Sequence, residues 1–149
     1  MLTYKIHLFR HGITRANLEG RYVGLSDYPL CQEGIDALKE YVKDKDYPPV
    51  EKIYTSPLRR CRETAHILYP GYKTFDVPQL MEMDFGTYEG KTLDELQNDE
   101  SFIAWSRDSM HNAPPEGEDG VAFIRRVIHG LDDVFQDMMA NELHSAALV

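Results

Sequence analysis

Apolar and polar positions along this chain switch between a period of two and a period near 3.6, and the switches mark its elements. Tyr4-Lys5-Ile6-His7-Leu8-Phe9 is a short apolar-rich run that stops at Arg10-His11-Gly12, a strand running into a loop. From Leu30 to Gly34 a helical pattern opens, with Ile35, Leu38 and Val42 recurring at spacings of three and four until Pro48-Pro49. Lys52-Ile53-Tyr54-Thr55 reads as a second strand. Ser56-Pro57 follows as an N-cap with proline in the first turn, and Leu58, Cys61, Ala65 and Leu68 line one face of the helix that it starts. Tyr69-Pro70-Gly71 ends that helix, and Phe75-Asp76-Val77 is a short third strand. Thr92-Leu93-Asp94-Glu95 fits a capping box, so a short helix follows it, with another around Phe102 and Trp105. After the loop Ala113–Gly117, a stripe of Val121, Ile124, Val127, Leu131, Val134 and Met138 predicts a long amphipathic helix ending near Asn141. A last apolar run, 145–149, is a strand. Strands alternating with helices predict an α/β fold with a largely parallel sheet.

Composition narrows the picture. A length of 149 residues favours one domain, and 42% hydrophobic with 28% charged residues suits a globular chain rather than a disordered one. No apolar run is long enough to span a membrane, and the segment from Met1 to Lys5 lacks the features of a signal peptide. Cys31 and Cys61 form neither a CxxC pair nor a disulfide framework, so a reducing, cytoplasmic setting is the default. A formal net charge of −9 disfavours nucleic acid as a partner.

That charge is unevenly spread. Residues 1–62 carry +3 and residues 63–149 carry −12. Six of the early cations are Arg10, Arg15, Arg21, Arg59, Arg60 and Arg62. Arginine suits bidentate contact with phosphate or carboxylate, so a pocket for a small anion is the functional reading; charge alone favours solvated surface arginines. Arg-His-Gly after a strand places a cation and an imidazole at the carboxyl edge of a sheet, where open α/β sheets bind ligands. Arg59 and Arg60 open a helix that also follows a strand, where N–H groups and the helix dipole favour anions. Glu82, within Leu80-Met81-Glu82-Met83-Asp84-Phe85-Gly86, is a carboxyl among apolar neighbours and a candidate general acid. His7, His66, His111, His129 and His144 read as structural or surface residues, and Arg107, Arg125 and Arg126 as a solvated helix face. Cys31, Cys61, Trp105 and the other aromatics read as packing.

Several motifs in order make the chain resemble the histidine phosphatase superfamily, which includes the cofactor-dependent phosphoglycerate mutases. Arg10-His11-Gly12-Ile13-Thr14-Arg15-Ala16-Asn17 matches the opening RHG-x-T-x-x-N, and Leu18 to Tyr22 with Gly24 continues it. Tyr28-Pro29-Leu30 through Glu33-Gly34 is similar to the next segment, with Cys31 where threonine is usual. Ser56 to Ala65 fits the family helix, with the phosphate-binding arginine on Arg60, and Leu80 to Gly90 fits the acid-bearing loop, with the proton donor on Glu82. Pro114-Pro115-Glu116-Gly117-Glu118 resembles the PPGGE loop, with Glu116 in place of a glycine.

The resemblance implies a three-layer α/β/α domain lacking its last strands, because the match stops before the strand-then-His-Gly segment that carries the family's second catalytic histidine. His144 precedes the final strand, at the wrong edge of the sheet, and does not inherit that role. It implies a phosphatase acting on a small phosphorylated metabolite through a phosphohistidine, with no metal and no cofactor. His11 would be the nucleophile and Glu82 the acid and base. Arg10, Arg60, Thr14 and Asn17 would hold the phosphoryl group, with Arg21 and Tyr22 reaching the rest of the substrate. Lost strands would leave an unpaired sheet edge, through which the chain is expected to form a homo-dimer. The loop Asp84–Gly90 is like that of the broad phosphatase branch, including α-ribazole phosphatase-like members. A 2,3-bisphosphoglycerate-dependent mutase is the alternative enzyme, and a catalytically impaired phosphate-binding module is the alternative outside catalysis.

Overall fold

The structure is a computed structural model, and it describes residues 2–43 and 48–149. Strands β1 (Lys5–Leu8), β2 (Lys52–Thr55), β3 (Thr74–Asp76) and β4 (Ser145–Leu148) form one sheet in the order β1-β4-β2-β3, and every pairing is parallel. All four strands therefore end at the same edge. The helices are α1 (Arg15–Leu18), α2 (Gln32–Lys43), α3 (Arg59–Leu68), α4 (Leu93–Leu96), α5 (Glu100–Arg107) and α6 (Gly120–Ala140). The stop expected at Pro48-Pro49 follows residues 44–47, which lie outside the described residues.

The period-two alternation of the strands divides the core into two layers. Ile53 and Ala147 point to one face, where they pack with Cys61, Ala65 and Leu68 of α3 and with Leu38 and Val42 of α2. Their strand neighbours Tyr54 and Ala146 point to the other face, against Val134 and Met138 of α6. Helices thus cover both faces of a parallel sheet, the arrangement that buries such strands on both sides. A third cluster gathers Met83, Tyr88, Leu96, Phe102 and Trp105 under the loops that follow β3.

Two expectations change. The α6 stripe leaves its N-terminal half uncovered: Val121 and Ile124 are exposed, and only from Val127 onward do its residues face the cleft or the core. The last strand, β4, lies inside the sheet between β1 and β2, so the free edge near the site belongs to β1. Among the described residues β1 has a neighbour on one side only, and Leu8 is 71% exposed.

Helix caps separate local from long-range control. Thr92 makes the capping box its sequence announces, accepting from the Glu95 amide while the Glu95 carboxylate accepts from the Thr92 amide. Ser56 does not cap α3. The helix starts three residues later, and the carboxylate that receives its first amide comes from elsewhere: Arg59 N donates to Asp27 Oδ1 at 2.6 Å. In the loop where glycine is replaced, Glu116 takes φ 63°, the left-handed region that a side chain disfavours. Its neighbour Gly117 has no room for a side chain, since a Cβ there would lie 2.4 Å from the Asp84 carbonyl oxygen.

Candidate active site

A cleft of about 330 Å³ opens at the carboxyl edge of the sheet. Leu8 ends β1 and residues 9–11 follow it into the cleft, Ser56 follows β2, and Leu148 and Val149 close β4 beneath it. Leu58, Arg60 and Cys61 enter from the start of α3, Leu80 to Glu82 from the loop after β3, and Phe123, Val127 and Leu131 form an α6 wall. The lining is mostly apolar, with Arg10, His11, Ser56, Arg60 and Glu82 as its polar groups. That combination is the usual character of a small-molecule site.

His11 is held by a hydrogen bond of 2.7 Å between its Nδ1 and the Gly12 carbonyl. A carbonyl only accepts, so Nδ1 carries the proton and Nε2 keeps a free lone pair. The imidazole pKa is held below its ordinary 6.5, first because burial disfavours the charged ring. The Gly12 carbonyl pulls the other way, the Arg60 and Arg10 charges add to the lowering, and the Glu82 carboxylate partly offsets them. The loop is tied to α3 by a buried relay: Gly12 N donates to Thr64 Oγ1 at 2.9 Å, and that hydroxyl donates to the Arg60 carbonyl at 2.7 Å.

Among the described residues Arg60 is the one buried charged side chain. Its side chain is only 2% exposed, yet among the described residues it has no carboxylate partner. Nη2 donates to the Gly24 carbonyl at 2.8 Å and Nη1 to the Ser26 carbonyl at 3.0 Å, while Nε has no partner among the described residues. A buried, uncompensated guanidinium with a spare donor is costly unless an anion completes it. Glu82, by contrast, is exposed, with Oε1 accepting from the Met83 amide at 2.8 Å.

The other expected contacts go elsewhere. Thr14 is fully buried and caps α1, paired with Asn17, whose Oδ1 accepts from Thr14 N at 3.0 Å; neither lines the cleft. Arg21 donates to Glu19 at 2.6 Å and to the Gly90 carbonyl at 2.7 Å. The Tyr22 ring meets Phe85, Phe102 and Trp105 edge-on at 5.5 to 6.0 Å. Of the six early arginines only Arg10 and Arg60 reach the cleft. Arg15 and Arg21 pair with Glu19, Arg59 with Glu63 and Arg62 with Asp76.

Sequence reasoning missed Arg126. It is not a solvated helix-face residue: Nη1 donates to the carbonyls of Gln79 (2.8 Å) and Met81 (2.9 Å), and Nη2 donates to that of Glu82 (3.3 Å). It also pairs with Glu118, whose Oε1 accepts from the Asp84 amide at 3.1 Å. This pair brackets the segment that carries Glu82. A regular spacing on α6 gave no sign of it, because the carbonyls it holds lie more than forty positions earlier in the chain.

The model of the histidine phosphatase superfamily (branch 1) matches residues 6–147. The chain belongs to this superfamily. Among curated relatives of the chain, the adenosylcobalamin/alpha-ribazole phosphatase of Salmonella typhimurium is 35% identical over 142 residues, covering 89% of this chain and 69% of the relative. The Escherichia coli (strain K12) protein of the same name is 32% identical over 127 residues, covering 83% and 63%. A 2,3-bisphosphoglycerate-dependent phosphoglycerate mutase of Bifidobacterium longum is 33% identical over 126 residues, covering 77% and 50%. The chain therefore spans between half and about two thirds of the length of these relatives. In structure, the alpha-ribazole phosphatase from Shigella flexneri superposes with a TM-score of 0.86 at 29% identity, covering 97% of this chain and 72% of that one. Phosphoglycerate mutase from Thermus thermophilus gives 0.74 at 31% identity, covering 96% and 75%. Both are built on the α/β fold described above.

Proposed function

We propose that this histidine phosphatase hydrolyses small phosphate monoesters through a phosphohistidine on His11. The observation that carries the proposal is the buried Arg60 guanidinium, uncompensated by any carboxylate among the described residues, in the same cleft as a neutral imidazole with a free Nε2. Nε2 attacks phosphorus; the N–P bond forms as the ester P–O bond breaks, and protonated Glu82 gives its proton to the leaving alkoxide. Water then attacks phosphorus, Glu82 takes its proton, and the N–P bond breaks to release phosphate. Arg10 and Arg60 supply fixed positive charge to the phosphoryl oxygens, where such preorganised donors contribute most. Thr14 and Asn17 support this indirectly, by capping the helix that follows the His11 loop. The acid-bearing loop and the alpha-ribazole phosphatase relatives favour hydrolysis over the phosphoglycerate mutase reading that the Bifidobacterium relative represents.

The test is phosphate release from p-nitrophenyl phosphate in EDTA, with kcat/KM followed against pH. Only neutral His11 attacks, and its folded pKa lies below 6.5. Rate is thus retained as pH falls to 6.5, and its acid limb lies below that value. A limb assigned to His11 above pH 6.5, or complete loss of rate in EDTA, overturns the reading. Exchange between 2- and 3-phosphoglycerate that depends on 2,3-bisphosphoglycerate, with no ordinary hydrolysis, would favour the mutase. Phosphate binding with no turnover would favour a binding module.

Two further readings go with this one. The free β1 edge, with Leu8 exposed on it, supports self-association of this chain, because an unpaired strand offers its amides and carbonyls to a second copy. Light scattering should show a species heavier than a monomer at high concentration; a clean monomer removes the idea. A cytoplasmic location agrees with both cysteines being free thiols, and no helix among the described residues is long and apolar enough to cross a membrane.

A further inference from the structure

We propose that Glu89 is a positioning residue of the phosphate site: its carboxylate fixes the 24–26 turn, and the carbonyls of that turn hold Arg60 in place. The proposal rests on the reading of Arg60 as the phosphate ligand. Glu89 does not line the cleft. Its carboxylate instead accepts from four backbone amides: Gly24 N at 2.9 and 3.0 Å, Leu25 N at 3.0 Å, Ser26 N at 3.3 Å and Phe85 N at 3.2 Å. Three consecutive amides converging on one carboxylate force the turn to present its carbonyls to the opposite side. There, the Gly24 and Ser26 carbonyls receive Nη2 and Nη1 of Arg60.

The fit of the turn is tight on the Glu89 side. A Cβ at position 24 would lie 2.5 Å from Glu89 Oε1 and 1.8 Å from the Met83 carbonyl oxygen, so only glycine allows the approach. Asp27, next in the chain, receives the first amide of α3, so the same segment grips both the start of the helix and its second side chain. Burial opposes the charge on Glu89, but hydrogen bonds from Ser26, Gly24, Phe85 and Leu25 outweigh it and hold the carboxyl below its usual range. An anion is thus held where amides demand one. Its effect passes through two carbonyls to a cation that has no carboxylate of its own among the described residues.

The experiment is a double-mutant cycle read as affinity for inorganic phosphate by calorimetry, alongside the unfolding temperature. The four proteins are wild type, Glu89→Gln, Arg60→Lys and the double variant. Glutamine keeps the reach of Glu89 but not its capacity for four N–H donors, and lysine cannot bridge the two carbonyls as the guanidinium fork does. Glu89→Gln is expected to weaken phosphate binding about tenfold beside Arg60 and less than about twofold in the Arg60→Lys background, the non-additivity of residues acting as one unit. Thr92→Ala, which removes a helix cap distant from the cleft, should lower the unfolding temperature while leaving phosphate affinity within about twofold. Glu89→Gln binding phosphate as wild type does, or losing the same factor in both backgrounds, overturns the positioning role while leaving Arg60 as ligand. A wild-type chain that binds no phosphate at millimolar concentration overturns the phosphate-site reading, and this proposal with it.

Discussion

His11→Ala is expected to abolish phosphate release from p-nitrophenyl phosphate, lowering kcat by about 10⁴-fold or more, the scale on which loss of a nucleophile acts. The reason is geometric as well as chemical. Among the described residues the cleft holds one imidazole, and its Nδ1 is committed to the Gly12 carbonyl, so Nε2 is the nitrogen with a lone pair for phosphorus. Arg10 and Arg60 cannot replace it, because guanidinium has no lone pair to offer. Exposed Glu82 could at most activate water from bulk. The ring is half-buried and its side-chain hydrogen bond runs to the adjacent residue, so the variant should fold with an unfolding temperature close to that of wild type. A folded His11→Ala protein that keeps a tenth of the rate would remove the covalent mechanism.

Arg60→Met separates function from stability. The rate should fall by about 100- to 1000-fold, the loss expected for one preorganised donor at a developing charge. The unfolding temperature should nevertheless be no lower than that of wild type. A guanidinium 2% exposed, with a partnerless Nε, carries a desolvation cost that its two carbonyl contacts do not fully offset, and an apolar side chain of similar length removes that cost. Calorimetry on the variant decides the question: a large drop in unfolding temperature would mean that Arg60 is chiefly a structural tie between the 24–26 turn and α3. Added phosphate should raise the unfolding temperature of wild type and leave that of the variant unchanged, because only a bound ligand shifts the folding equilibrium.

The site also shows why two nearby arginines have different uses. Arg59 extends outward to Glu63, one turn along its own helix, an exposed pair of the kind that contributes little. Arg60, one position on, turns inward. A rotation of about 100° per residue along the helix separates a surface ion pair from a buried guanidinium in the cleft. Arg126 makes the same point from α6. It lies off the apolar stripe, yet the loop after β3 passes close enough to offer it the carbonyls of Gln79, Met81 and Glu82. The segment bearing Glu82 is thereby fixed to the longest helix among the described residues.

Whatever depends on neighbours within a turn or a strand is legible in the residue pattern. Lys52–Thr55 is a strand, Thr92 caps α4 through Glu95, and α6 closes at Ala140 on its C-cap Asn141, because propensity, capping and periodicity act over about four residues. The order of motifs also placed Arg10, His11, Arg60 and Glu82 on elements that a parallel sheet carries to a common edge. Tertiary structure alone decided which long-range partner each polar group takes. It gave the α3 amide to Asp27 instead of Ser56, gave Arg21 and Tyr22 to Glu19 and to the aromatic cluster instead of the cleft, and set Glu89 behind the turn that holds Arg60 and Arg126 behind the segment that carries Glu82. It also left Val121 and Ile124 exposed on a stripe that the pattern assigned to the core. Local pattern fixes how a segment folds, whereas the crossover that threads β4 between β1 and β2 fixes what it meets, and a buried charge is satisfied only by what it meets.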